Sequence, residues 1–244
     1  MAIEKHEGFW FGGRAASDAL QNVLHETRWA DVHFGPAEER RPAYVARASA
    51  YYSLSLGGLV PWRLTVAKRY VAAIERDAGD WSGLSANQLE TLASIANAGT
   101  PILGRWIKIL SPQYKLARTL ALAGLKAWKQ TRTPLHTGAL LYLDLAKASP
   151  INTVRSVDVN GTKEDLVFQA ASIHMEMNRT NLDSHERKQD VRVLKGLGAL
   201  HYRMHSYAWL WRDYLDCAYR LAKEVSPNQV WKIRLLRWRL RLNI

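Results

Sequence analysis

Residues 111–150 read SPQYKLARTLALAGLKAWKQTRTPLHTGALLYLDLAKASP, and their pattern is typical of helices. Apolar residues recur in this stretch at intervals of three and four, the spacing of an amphipathic helix. Pro112 and Pro134 each follow a serine or threonine, and a proline suits the first turn of a helix because that turn does not need its missing amide hydrogen. The stretch therefore predicts two helices, 111–130 and 133–149, joined by a short loop as a helical hairpin.

Similar helix-start signals, prolines and a capping box, occur over the rest of the chain. Pro42, Pro61 and Pro227 each stand where a helix is expected to begin. Ser85, with Gln88 three residues later, predicts a capping box at the start of another helix. We therefore expect an all-α fold of stacked antiparallel helical hairpins, arranged as a solenoid or as an irregular bundle.

One segment lacks the helical pattern. Residues 151–161 contain three valines and end in an Asn-Gly turn signal, which predicts an extended linker or a short strand. This linker separates an N-terminal helical region, 1–150, from a C-terminal helical region, 162–244. Thr162 is expected to cap the next helix, with Asp165 in the capping-box position.

One part of the C-terminal region resembles a known family. Gly198-Ala199 is followed by Tyr202, then by a turn and by Ala218 on the next helix, and this order is similar to one tetratricopeptide-like unit. The similarity covers residues 191–225, roughly one repeat length. It implies a helical hairpin that stacks on neighbouring hairpins.

Positive charge is concentrated in two regions. The chain has 34 basic and 22 acidic residues, a net charge of +12, and no acidic residue lies between Glu90 and Asp144. Residues 105–132 contribute +7 and residues 231–244 contribute +5. Such regions are typical of sites for an anionic partner, either a phosphate backbone or an acidic protein surface. The alternative is a solvated face that pairs with acidic residues of other helices.

Four cations of the first region share one helix face. Their positions fall within a sector of about 80°, opposite Leu116, Leu120, Ala123 and Ala127. These four are Lys115, Arg118, Lys126 and Lys129. The candidate residues for an anionic partner are Arg105, Lys108, Lys115, Arg118, Lys126, Lys129 and Arg132 in the first region and Lys232, Arg234, Arg237, Arg239 and Arg241 in the second.

The second region also carries an apolar seam. Read as a helix, Trp231, Leu235, Trp238 and Leu242 share one face, whereas residues 236–242 alternate as in a strand. The helix is favoured by its proline start. It is either docked on the body of the protein, or it serves as an anchor for an anionic membrane surface, a docking helix for a partner protein, or a clamp on RNA. The candidate partner-docking aromatic residues are Phe9, Trp10, Phe11, Trp231 and Trp238.

Motifs for common chemistry are missing from the sequence. It has no nucleotide-binding glycine loop, no serine nucleophile elbow and no zinc-protease motif, so we expect neither catalysis, nor a cofactor, nor a small-molecule substrate. His201 and His205 have metal-ligand spacing, with His174 and Asp213 as conceivable third ligands, or are polar residues at a helix interface. The single cysteine, Cys217, favours a reducing compartment, and no apolar stretch reaches the length of a membrane span.

Basic, rich in tryptophan and without a catalytic motif, the chain is similar in general character to accessory subunits of organellar complexes such as mitochondrial ribosomes. We expect a helical scaffold or adaptor that is a constitutive subunit of a larger intracellular assembly, with the mitochondrial matrix as one candidate compartment. One alternative is an RNA-binding protein that uses residues 105–132 and the C-terminal tail. Another is a metal-binding protein or enzyme around His201 and His205.

Overall fold

A computed structural model describes residues 13–28, 37–55, 61–78, 81–98, 112–204 and 208–242. The described residues form helices and one two-stranded sheet, so the all-α prediction is confirmed. The elements are α1 (Gly13–Glu26), α2 (Ala37–Leu54), α3 (Pro61–Ala78), α4 (Ala86–Asn97), α5 (Pro112–Thr131), α6 (Leu135–Lys147), β1 (Val157–Val159), β2 (Thr162–Glu164), α7 (Leu166–Met177), α8 (Ser184–Arg203), α9 (Ala208–Val225) and α10 (Pro227–Leu242).

The hairpin of α5 and α6 agrees with the prediction from residues 111–150. Trp128 of α5 is buried against α6, and its Nε1–H donates to the Pro134 carbonyl at 2.9 Å. Its ring meets Tyr142 edge-on, with ring centroids 6.5 Å apart. Gly138 lies directly beneath the indole, because a Cβ there would be 2.3 Å from the Trp128 ring. The absence of a side chain at Gly138 thus lets the two helices approach closely.

Helices pack mainly on their neighbours in the chain, as α2 on α3, α4 on α5, α6 on α7 and α8 on α9. Helix α6 also contacts α4, α5 and α8, and all of residues 136–146 are buried. One hydrophobic core runs through these helices and across the linker. Leu143 of α6, Val157 of β1 and Leu197 of α8 all belong to it.

The linker forms the first strand and the turn of a β-hairpin. Strands β1 and β2 pair antiparallel through Asn160-Gly161, whose φ angles of 56° and 89° suit the tight turn of a hairpin. The prediction that Thr162 caps a helix is wrong, because Thr162 pairs with Val159 in this ladder. Asp165 itself is the N-cap of α7, and its Oδ1 accepts from the amides of the second and third residues of that helix, at 2.9 and 3.0 Å.

Other helix boundaries test the remaining predictions. The capping box of Ser85 and Gln88 is confirmed at the start of α4, with both reciprocal hydrogen bonds formed. Helix α2, in contrast, begins at Ala37 and contains Pro42, so the predicted start at Pro42 is wrong. A proline this close to the helix start removes one backbone hydrogen bond, and the residues before it are good helix formers.

Arg47 of α2 joins the first three helices. It is buried, its Nε donates to the Tyr70 hydroxyl of α3 at 2.7 Å, and its Nη1 donates to the Leu24 carbonyl of α1 at 2.7 Å. Its guanidinium also lies over the Tyr70 ring, 5.1 Å from the centroid. Since the planar guanidinium serves two directed contacts at once, Arg47 fixes where α1 sits.

Candidate partner-binding surfaces

The basic face of α5 is exposed, as the sequence predicts. Lys115, Arg118 and Lys126 lie on the solvent side, while Ala117 and Leu120 are buried on the other side of the helix. Within the described ranges none of these three cations forms an ion pair. Fourteen residues of helix place Lys115 and Lys129 about 21 Å apart along the axis. The face is therefore long enough to contact several anionic groups of one partner.

The C-terminal end of the same face is partly neutralised. Lys129 forms an ion pair with Glu164 of β2 at 2.5 Å, and Arg132 pairs with Glu176 of α7 at 3.4 Å. Glu164 also accepts from the Tyr142 hydroxyl at 2.6 Å, and burial together with this carboxylate raises the pKa of Tyr142. At the end of α5 the cations therefore pair with acidic residues of other elements, which is the alternative to a binding site. Lys115, Arg118 and Lys126 remain the candidate anion site.

Helix α10 presents its predicted seam away from the core. Its buried apolar residue among those described is Ile233, which packs in a small cluster with Val191 and Leu194 of α8 and Ala218 and Ala222 of α9. At 100° per residue, the seam residues lie about 140–160° around the helix from Ile233. The seam residues whose side chains the structure describes are Trp231, Leu235 and Trp238, and Trp238 is 56% exposed.

Three cations surround the ring of Tyr219, which lies on α9 beside α10. The Lys223 ammonium lies 4.8 Å from the Tyr219 ring centroid, and the guanidinium carbons of Arg234 and Arg237 lie at 5.5 and 5.4 Å. Arg234 Nη2 donates to the Tyr219 hydroxyl at 2.7 Å, and this bond lowers the pKa of Tyr219. Arg237 pairs with Asp216.

A surface cavity of about 570 Å³ adjoins this cluster on α9. Its lining combines both charge signs with a thiol. Arg220, whose Nη2 lies 3.5 Å from Sγ of Cys217, is among the lining residues. The full lining is Asp213, Asp216, Cys217, Tyr219 and Arg220.

Several predicted site residues lie outside the part of the chain that the structure describes. They are Phe9, Trp10, Phe11, Arg105, Lys108, His205 and the side chain of Arg239. The other predicted cations of α10 are placed on the solvent side or half-buried. Arg234 and Arg241 are exposed, whereas Lys232 and Arg237 are half-buried.

The candidate metal ligands do not converge among the described residues, where no group of three or more His, Cys, Asp or Glu side chains could hold a metal ion. His201 stacks on Tyr214, with ring centroids 5.3 Å apart, and burial lowers its pKa. His174 Nε2 lies 3.0 Å from Oδ1 of Asp190 on α8. Asp213 lines the surface cavity on α9 instead.

A buried polar network joins α4, α6 and α8, and the sequence reasoning missed it. Glu90 of α4 accepts from Arg192 Nη2 at 2.9 Å, and Asp144 of α6 accepts from Lys147 Nζ at 2.9 Å. Ser94 Oγ lies 2.7 Å from Asp144 Oδ2 and 3.1 Å from Glu90 Oε1. An available signal was the position of both carboxylates among leucines, on helix faces that are otherwise apolar.

Exposed apolar side chains form a further candidate surface. Phe168 and Met175 of α7 are 65% and 54% exposed, and seven residues of helix place them on one face about 10 Å apart. The opposite face of α7 carries the buried Ile173. On α9, Trp209 is exposed and Trp211 is buried, so these two tryptophans point to different faces of the helix.

Among the described residues, no helix is both long and apolar enough to cross a membrane. Comparisons with known proteins add no family. No family model matches the chain, and no curated protein or solved structure matches it either.

Proposed function

We propose that the protein is a non-catalytic helical scaffold or adaptor that serves as a subunit of a larger assembly. The observation that carries this proposal is the apolar outer face of α7, where Phe168 and Met175 are more than half exposed although the inner face of the helix is already buried. Side chains of this size on one helix face are typical of sites that a partner protein covers. Trp209 of α9 extends the same kind of surface to a second helix.

The proposal assigns no chemistry to the chain. The buried carboxylate of Glu90 on α4 pairs with Arg192 of α8, and that of Asp144 on α6 pairs with Lys147 of its own helix and contacts Ser94 of α4, so the network joins three helices. Ion pairs of this kind hold helices in register, a role that suits a scaffold. The proposal therefore predicts a stable complex and no turnover of a substrate.

The test is purification of the chain under native conditions with its complex intact, followed by mass spectrometry. We expect a partner in fixed stoichiometry, which is lost when Phe168→Glu and Met175→Glu are combined, because two carboxylates would then have to be buried at the interface. Trp62→Glu on α3 is the control, since it places a carboxylate at an exposed apolar position of another helix. A monomer without a partner, or a complex that the double substitution leaves unchanged, contradicts the proposal.

RNA binding by α5 is the second candidate function. It is favoured by the three cations Lys115, Arg118 and Lys126, which form no ion pair among the described residues and share one exposed face. Reversal of all three charges to glutamate is expected to abolish binding of single-stranded RNA. Neutralisation to glutamine should lower the slope of log affinity against log salt by about 2, at roughly 0.7 per phosphate contact. Affinity that is independent of salt would exclude this function.

A further inference from the structure

Helix α10 combines two apolar faces with a run of cations. The inner face is occupied, because Ile233 is fully buried against α8 and α9. The outer face carries the seam of Trp231, Leu235 and Trp238, which spans about 10 Å of helix length. Residues 225–244 contain five cations and no acidic residue. The outer face therefore joins apolar area to the positive charge of its own helix.

The cations flank the seam. Arg234 and Arg241 are exposed and lie about 40–60° from Trp238 on one side of the seam. Lys232 lies on the other side, with its ammonium 6.0 Å from the centroid of the Trp231 ring. Arginine and lysine in these positions can keep their charged ends in a polar layer while their methylene stems lie along apolar material.

The side of α10 that faces α9 adds a cluster suited to phosphate. Lys223, Arg234 and Arg237 surround Tyr219 within 5.5 Å of its ring centroid, and Asp216 supplies the carboxylate that pairs with Arg237. Guanidinium groups donate two parallel hydrogen bonds to phosphate oxygens, so an anion of this class would satisfy the excess charge. A phosphate bound here would lie beside the apolar seam.

We propose that α10 docks on an anionic phospholipid surface, with Trp231, Leu235 and Trp238 in the interfacial layer and Arg234, Arg241 and the cations around Tyr219 on headgroup phosphates. Lipid is the ligand that presents apolar chains and phosphates next to each other along a plane, which is how α10 presents tryptophan and arginine. The seam is short, so docking is shallow and peripheral.

The experiment uses the full chain and two vesicle compositions, phosphatidylcholine alone and phosphatidylcholine mixed with phosphatidylglycerol, in a co-sedimentation assay. We expect binding to the mixed vesicles, weakened by salt, and none to phosphatidylcholine alone. Trp238→Ser should weaken binding about tenfold through lost apolar contact. Arg234→Gln combined with Arg241→Gln should weaken it about twenty-five-fold, at roughly fivefold for each cation near an anionic surface.

Two matched controls separate this site from general charge and apolarity. Trp62→Ser removes an equally exposed tryptophan from α3, and Lys115→Gln with Arg118→Gln removes two cations from α5. Both are expected to bind the mixed vesicles like the parent chain. Circular dichroism checks that the variants keep their helix content, which is expected because the substituted side chains are exposed.

Three results would overturn the proposal. The first is equal binding to both vesicle compositions, and the second is a loss in either control that equals the loss in the α10 variants. The third is the absence of binding to the mixed vesicles. If the chain then binds a single-stranded RNA and the α10 substitutions abolish that binding, the helix is assigned to nucleic acid.

Discussion

Replacement of Gly138 by alanine tests the packing of α5 against α6. In an ordinary helix interior this change stabilises by about 1 kcal/mol, because alanine has the higher helix propensity. Here the new Cβ would lie 2.3, 2.4 and 2.7 Å from three ring atoms of Trp128. The indole cannot easily move, since it is buried and its Nε1–H is bonded to the Pro134 carbonyl.

The expected outcome is destabilisation. Overpacking at a rigid site costs about 3 kcal/mol at its upper end. Subtraction of the propensity gain leaves a net loss of about 2 kcal/mol, or a fall in Tm of about 4–8 °C for a chain of this size. The free energy of unfolding is measured by urea denaturation with linear extrapolation.

The same substitution in a chain that lacks the Trp128 ring makes the test specific for the contact between Gly138 and Trp128. In a Trp128→Leu chain the three ring atoms are gone, so Gly138→Ala should there stabilise by about 1 kcal/mol. Gly196→Ala in α8 is the control, because its Cβ would meet one methyl of Leu143 at 2.6 Å and everything else at 3.5 Å or beyond. That methyl can rotate away, so we expect a change near zero. If Gly138→Ala stabilises the parent chain, or destabilises both backgrounds equally, then Gly138 is not needed for the close approach of α5 and α6.

Three further predictions concern single residues. Arg47→Lys should release α1, because the Tyr70 hydroxyl and the α1 carbonyl are bound by two separate nitrogens of the guanidinium, which the single nitrogen of lysine does not reproduce. Hydrogen exchange should rise in residues 20–26 and stay unchanged in α8, and unchanged protection in α1 would refute this. Ser85→Ala should cost about 1 kcal/mol in urea denaturation, and a loss below a few tenths would show that the capping box contributes little. Burial lowers the pKa of His201 in the folded state, so the unfolded chain binds more protons and stability should fall as pH drops through about 6.5. His201→Phe keeps a ring on Tyr214 and should reduce that fall between pH 7.5 and 5.5, whereas an unchanged pH profile would contradict it.

Helix boundaries could be predicted because their signals are local. Prolines and capping side chains act within one turn of the helix end, so Pro61, Pro112 and Pro227 stand at observed helix starts. Pro42 does not, because a proline is also tolerated a few residues inside a helix when its neighbours favour helix strongly. Thr162 shows the other limit, since the Asn-Gly turn before it forms a hairpin that takes Thr162 into a strand.

Charge pairing could not be predicted in the same way, because it depends on residues that are distant in sequence. The 53-residue stretch without acid correctly predicts a basic α5 face. It contains no information on Glu164 and Glu176, which reach Lys129 and Arg132 from 35 and 44 residues away. The buried network is similar, since Arg192 meets Glu90 across 102 residues. Only the packing of the β-hairpin, α7 and α8 on the body brings these groups together.

The outer seam of α10 follows from a sequence that has apolar residues on every side of the helix. Trp231 and Trp238 suggest one core face, and Ile233 with Leu236 and Leu240 suggests the opposite one. The neighbours decide between them, because α8 and α9 present Val191, Leu194, Ala218 and Ala222, on which Ile233 packs. Trp238 therefore adds little to the stability of this fold while it exposes apolar area beside Arg234 and Arg241. An exposed apolar surface promotes aggregation unless something covers it, so the chemistry of the flanking cations is the best guide to the ligand that does so.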